Sequence, residues 1–320
     1  MSRRIAVLGA GIMGHALALV YALGGHAVTL TDNDPAALEQ AGGLMEQALA
    51  TLRKAGLVDA SWDAVRLSQA VRRVGRLEET LAGADIIVEA ISEQPDAKRA
   101  LYSAIDRIAP PQVILASNTS YLDVFPLIPP GRKRRALIAH WYTPPYLVDL
   151  VDVVGSPETD PAVIEDMRAL LATMGKVPVV MRRFIPGYIA NRIQSAMSLE
   201  VNRLLDEGYA SPREIDDAVI HGLALRLPIL GVLAKADFTG LKLLADALGN
   251  SPYEPPHGGK RSTTLDRLVA EGRDGVRTCS GYFDWNENPS ALFAERDRRL
   301  IALKQALKAI GGPITPKGEA

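Results

Sequence analysis

Three side chains late in the first half of the chain need a chemical use. His140 closes the apolar run ALIAH (136–140), and Asp149 and Asp152 stand among apolar residues in YLVDLVDVV (146–154). On a strand, Asp152 alternates with Val148, Leu150 and Val154 and shares their apolar face, while Asp149 lies on the opposite one. An aspartate in such a place is costly unless it is paired. Imidazole exchanges protons near neutral pH, and a buried carboxylate can fix its tautomer and stabilise the imidazolium. A His–Asp pair of this kind suits removal of a hydroxyl proton while the carbinol carbon gives up a hydride.

A hydride needs an acceptor, and the N-terminus offers a place for one. GAGIMG sets Gly9, Gly11 and Gly14 in G-x-G-x-x-G spacing, with Ile12 and Met13 between the last two. It follows a predicted strand and opens a predicted helix, the context that gives the motif meaning. Gly9 permits the tight turn, Gly11 lets a pyrophosphate approach the backbone, and Gly14 lets helix and strand pack closely. The helix N-terminus favours the phosphates. Asp32 ends the second predicted strand, roughly 20 residues downstream, where a carboxylate accepts from a ribose 2′-OH. It would repel a 2′-phosphate, and no arginine stands beside it in TDNDP, so NAD is favoured over NADP. FAD shares the fingerprint. The segments VEAISEQPDAK (88–98) and SNTS (117–120) also follow predicted strands. They belong at the same carboxyl edge, where ligands sit in a doubly wound sheet.

The elements that must position these groups alternate. Strands are expected at 4–9, 26–32, 70–75, 85–90, 112–117, 136–140, 150–154 and 177–181, with helices at 11–25, 35–57, 96–108 and 161–174. Alternation predicts an α/β, doubly wound (Rossmann), mostly parallel sheet with helices on both faces. After VVMRRFIPGY the strand signals stop. Ile189, Ile193, Met197, Val201 and Leu204 fall on one helical face, and Ser211-Pro212 with Glu214 reads as a capping box. The expected division is a nucleotide-binding domain at 1–184 and an all-helical domain at 185–320. The latter carries a proline-rich loop at SPYEPPHGGK and a frayed tail, GGPITPKGEA.

Composition narrows the class. Of 320 residues 48% are apolar and 23% charged, and 36 basic against 37 acidic residues leave a net charge of −1. Such a balance favours neither nucleic acid nor an anionic membrane. GRKRR (131–135) reads as a solvated loop, and Cys279, the single cysteine, as a buried thiol in a reducing compartment. With no apolar stretch approaching the roughly 20 residues of a spanning helix, a cytoplasmic protein is expected. The five histidines show no ligand spacing, so no metal is expected.

Taken together, VLGAGIMG, DIIVEAISE, SNTS, HWYTPPYLVDLVDVV, PGYIANR and GVRTCSGYFDW resemble, in that order, the L-3-hydroxyacyl-CoA dehydrogenase family. That family includes the lambda-crystallin (L-gulonate) and carnitine dehydrogenase branch. The resemblance implies NAD as cofactor, a small-molecule substrate, and a homodimer formed through the helical domain. It implies His140 as general base and puts Asp152 where the family has the glutamate that orients it. Ser120 would bond the substrate oxygen and Asn191 the neighbouring carbonyl. Glu93, Lys98 and Asn118 would meet the ribose–nicotinamide end.

Three departures stand out. Asp152 is one methylene short, which questions its reach to His140. HWYTPP replaces an HFFNPP-like segment, with Trp141 and Tyr142 bulky and Thr143 in place of asparagine. LALRLPILG brings Arg226 where acyl-CoA members carry a YPMGP-like segment. The leading expectation is interconversion of a (3S)-hydroxyacyl-CoA and its 3-oxo form, as in fatty acid metabolism. The alternative is a free 3-hydroxy acid whose carboxylate Arg226 holds bidentately. A weakly active, NAD-binding structural homologue is the third reading.

Overall fold

The computed structural model describes residues 2–250 and 262–313. The proline-rich segment at 251–260 and all but the first three residues of the C-terminal tail lie outside them. The chain divides into two compact units, Met1–Ala190 and Asn191–Ala320.

The first unit opens with β1 (Arg4–Leu8), α1 (Gly14–Leu23), β2 (Ala27–Thr31), α2 (Pro35–Lys54), α3 (Ala64–Ala70) and β3 (Val71–Arg73). It continues with α4 (Leu77–Leu81), β4 (Ile86–Glu89), α5 (Pro95–Ile108), β5 (Ile114–Ser117), β6 (Ala136–Trp141), β7 (Leu150–Gly155), α6 (Pro161–Thr173) and β8 (Val177–Met181). Sequence explains the helix starts. Asp34 and Asp160 each accept a hydrogen bond from the backbone two residues on, with proline at the first helical position. Asp63 caps α3, a helix missed in the sequence, where short stretches carry little periodicity.

The eight strands form one sheet in the order β3-β2-β1-β4-β5-β6-β7-β8. Every neighbouring pair is parallel except β6–β7. The exception follows from chain length. Only residues 142–149 join these two strands, too few for the crossover that a parallel pair needs. Central strands are apolar on both faces, as a sheet covered by helices requires. Ala6, Leu8, Ile87, Leu115 and Ile138 pack with Tyr102 and Ile105 of α5 in one core layer, which Tyr188 joins.

Two surface expectations need correction. Within GRKRR, Arg132 is buried, and its guanidinium donates to the carbonyls of Ala109, Pro110 and Val113 and contacts Asp106. A basic run can hide one member when carbonyls at a helix end need a donor. Cys279 is exposed, in a left-handed turn (φ 57°) closed by Trp285 N–H on its carbonyl.

The second unit is helical, with short bridges around Ser280. It holds α7 (Ala190–Asp206), α8 (Pro212–Ala218), α9 (Leu227–Leu230), α10 (Leu233–Thr239), α11 (Leu241–Gly249), α12 (Thr263–Ala270) and α13 (Pro289–Ala309). The capping box at Ser211 and Glu214 is present in full. On α7 no residue is buried, and Ile189 just before it, Ile193 and Met197 are exposed.

Candidate active site

The first part of the site is the turn between β1 and α1. Gly9 has φ 100°, and a Cβ there would lie 2.6 Å from the carbonyl oxygen of Ala90. A Cβ on Gly14 would lie 1.6 Å from the Gly9 carbonyl oxygen, whereas nothing lies within 4 Å of one on Gly11. Two glycines thus let the backbone close on itself, and the third faces open space. Ile12 is 60% exposed beside it. Asp32 fastens the turn from the end of β2, accepting from Ala10 N–H at 2.6 Å and Asp34 N–H at 2.9 Å. This open cradle with a carboxylate at its rim fits a dinucleotide: the turn meets the pyrophosphate and Asp32 the adenosine ribose. Thr143 links the cradle to the loop after β6, donating to Met13 Sδ at 3.1 Å.

The second part is the loop after β5. Glu93 accepts the backbone N–H groups of Ser120, Tyr121 and Leu122 at 2.6–3.1 Å and the Thr119 hydroxyl at 2.9 Å. Burial works to raise its pKa, yet these four donors hold it below the usual carboxylate value. Glu93 therefore shapes the SNTS loop from within. The Ser120 hydroxyl has no hydrogen-bond partner among the described residues. Asn118 Oδ1 accepts from Trp141 N–H at 2.8 Å, which leaves its amide N–H groups available.

The third part is the β6–β7 pair. His140 and Asp152 are register partners on the antiparallel strands. Directly opposed residues hold their Cβ atoms about 4.5–5.5 Å apart, so a short carboxylate reaches. Asp152 Oδ2 lies 3.2 Å from His140 Nδ1, and both residues are buried. The same oxygen accepts from Tyr142 OH at 2.7 Å. Two tyrosine rings hold the imidazole, each with its centroid 4.6 Å away: Tyr142 edge-on and Tyr188 tilted by 33°. Tyr188 is fully buried at φ 52°, and its hydroxyl donates to the Thr119 carbonyl. Burial, then the charges of Glu93 and Asp152, push that phenol's pKa well up, so it stays a donor. His140 Nε2 is left without a hydrogen-bond partner among the described residues. It is the ring atom available to take a proton.

Lys98 stands apart from the other residues expected at the ribose–nicotinamide end. It is 1% exposed, and its ammonium sits 2.5 Å from Glu89 Oε1. Glu89 Oε2 accepts from Tyr102 and Ser117, both at 2.6 Å. A buried pair of charges with its remaining lone pairs satisfied accounts for Lys98 without any ligand. In the second unit, Asn191 lies half-buried in the first turn of α7, and Arg226 is exposed with Nε on the Gly222 carbonyl.

Sequence reading gave no role to Tyr142, Tyr188 or Lys176. Lys176 reaches from the start of β8 to the carbonyls of Pro145 and Val148, and so fixes the loop after His140. The spacing of Tyr142 from His140 was a readable signal, because i and i+2 share a strand face. Tyr188 and Lys176 carry no such local signal.

Two family models together match most of the chain. The NAD-binding domain of 3-hydroxyacyl-CoA dehydrogenase matches residues 4–184 and the C-terminal domain of the same enzyme residues 187–285. The chain belongs to the 3-hydroxyacyl-CoA dehydrogenase family. It is a family of NAD-dependent enzymes acting on CH–OH groups. L-carnitine dehydrogenase of Streptomyces coelicolor is 30% identical over 315 residues, covering 97% of this chain and 96% of that one. A solved structure of 5-formyl-3-hydroxy-2-methylpyridine 4-carboxylic acid 5-dehydrogenase, an NAD-dependent dismutase, superposes with a TM-score of 0.87. That match has 27% identity and covers 96% of this chain and 99% of the other. The (S)-3-hydroxybutyryl-CoA dehydrogenase from Ralstonia eutropha, also 27% identical, gives 0.69 over 90% of this chain and 100% of its own. Within the 3-hydroxyacyl-CoA dehydrogenase family, the similarity is therefore not confined to enzymes named for a CoA thioester.

Proposed function

We propose that this chain oxidises the alcohol carbon of a free hydroxy acid, reversibly, with His140 as the base. The observation that carries the base is the free Nε2 of an imidazole whose Nδ1 is held by Asp152. In this reading Nδ1–H donates to Asp152 and Nε2 receives the hydroxyl proton. The Ser120 hydroxyl donates to the same substrate oxygen, on a loop that Glu93 keeps in place. Bound nicotinamide supplies the acceptor for the hydride.

Support for a free acid comes from similarity. The carnitine and pyridine-carboxylate enzymes match nearly the whole chain, and the superposition is better with the pyridine-carboxylate enzyme than with the hydroxybutyryl-CoA enzyme. Arg226 has no carboxylate partner among the described residues, so its guanidinium is available for one. Asn191 keeps the role that the resemblance gives it, holding the carbonyl beside the reacting carbon. The second reading, a 3-hydroxyacyl-CoA, rests on the match to both family domains. NADH consumption with acetoacetyl-CoA, set against free 3-oxo acids, separates the two. Turnover of the thioester alone would reject the free acid. A homodimer belongs to the same proposal: the exposed Ile189, Ile193 and Met197 form an apolar face suited to a second copy. A monomer by light scattering would remove it.

A further inference from the structure

We propose that Tyr142 is a positioning residue for the proton-transfer pair, its phenol fixing the Asp152 carboxylate so that His140 keeps one tautomer. This rests on the reading of His140 as the base.

The geometry gives Tyr142 this place. His140 and Tyr142 are two residues apart at the end of β6, so both side chains leave on the same side, while Trp141 points the other way onto Tyr21. The side they share is that of Asp152, the register partner of His140. Of the two donors on Asp152 Oδ2, the phenol is nearer, at 2.7 Å against 3.2 Å for the imidazole. Asp152 Oδ1 is buried with no partner in the structure. All of the hydrogen bonding that orients this carboxylate therefore runs through one oxygen, and Tyr142 makes the shorter contact. Without the phenol, only the long imidazole contact would oppose rotation of the carboxylate out of the orientation in which an oxygen faces Nδ1. The imidazole would then have no fixed acceptor at Nδ1. Tyr188 lies on the ring of His140, but its hydroxyl is committed to Thr119, so it does not duplicate the function.

The test uses the full chain labelled with 15N-histidine. His140→Ala assigns the His140 resonances by their loss. In the wild type, His140 is expected as the single Nδ1–H tautomer. Tyr142→Phe should give a mixed-tautomer pattern, with unfolding midpoint and NADH affinity unchanged. It should also lower kcat about tenfold, the scale of one hydrogen bond to a charged group, with KM little altered. The probe is whichever of acetoacetate or acetoacetyl-CoA the wild type reduces. Tyr142→Phe combined with Asp152→Glu, where a longer carboxylate reaches Nδ1 without the phenol, should restore the single tautomer. An unchanged His140 pattern in Tyr142→Phe, or a double variant no better than that single one, overturns the proposal. Survival of turnover in His140→Ala would instead reject the base, and the tautomer result would still decide the place of Tyr142.

Discussion

His140 and Asp152 face each other as direct cross-strand partners on the only antiparallel pair of the sheet. The pairing explains how an aspartate serves where a longer carboxylate is expected. Neither side chain has to stretch, because the register brings the strands' own Cβ atoms close. Asp152→Asn keeps the shape and removes the charge that supports the imidazolium. It should lower kcat by about 10²-fold or more, on the scale of general-base catalysis, while NADH still binds. Single-turnover rates and NADH fluorescence titration check the two halves separately. Undiminished turnover would show that the carboxylate is structural.

Glu93 should act on catalysis through the backbone. Its carboxylate collects three successive N–H groups and one hydroxyl, so Glu93→Ala leaves Ser120, Tyr121 and Leu122 without their acceptor. A displacement of Ser120 by about 1 Å would cost on the order of 10²-fold in rate. Hydrogen exchange gives the direct reading. The amides of residues 120–122 should lose protection in the variant, and unchanged protection would mean that other contacts hold the loop.

Lys98 and Glu89 test stability against ligand binding. Removing one member of a buried ion pair costs about 3–5 kcal/mol, because the other charge is left uncompensated. Lys98→Ala should therefore lower the urea midpoint strongly, and Glu89→Gln with Lys98→Met should recover much of the loss. A stable Lys98→Ala protein with weakened NADH binding would return Lys98 to the cofactor.

Much of this arrangement was readable from the sequence, for physical reasons. The mostly parallel sheet follows from βαβ alternation, and the Gly9 and Gly14 turn from steric needs that leave few other residues possible. His140 and Asp152 were visible because polar groups on apolar strands need partners. Glu93 was located but its action was not, since one carboxylate gathering four donors depends on loop geometry that spacing does not encode. The buried partner of Lys98 was not legible, because a lysine near the start of a helix reads as solvated or ligand-facing. Only the fold shows that Glu89, at the end of β4, lies beneath it. Arg132 and Cys279 were misplaced for the same reason: the burial or exposure of a single residue is a tertiary property.

Asp32 should set the choice between cofactors. At close range its charge would oppose a 2′-phosphate by about 1–4 kcal/mol, depending on solvent access. Asp32→Ala should lower the NADH-over-NADPH preference by about tenfold or more. It should also weaken both cofactors, because Ala10 N–H loses its acceptor. A preference ratio equal to wild type would remove Asp32 from the ribose site.

Asp206 gives the second unit an acid-sensitive tie. It is the last residue of α7, and its carboxylate accepts from the N–H groups of Thr263 and Thr264 and the Ser262 hydroxyl at the start of α12. Burial acts to raise its pKa, but these donors hold it at about 2. The unfolded value is about 3.9, so the folded state binds its proton less readily. The stabilisation is complete above the unfolded value, and it is lost as pH falls from about 4 toward 2. Asp206→Asn should be less stable than wild type at pH 7, and the two should converge across that acid window. Thermal unfolding of both proteins over pH 2–7 measures this, provided each refolds. Curves that stay parallel down to pH 2 would mean that the carboxylate charge contributes nothing to the join between α7 and α12.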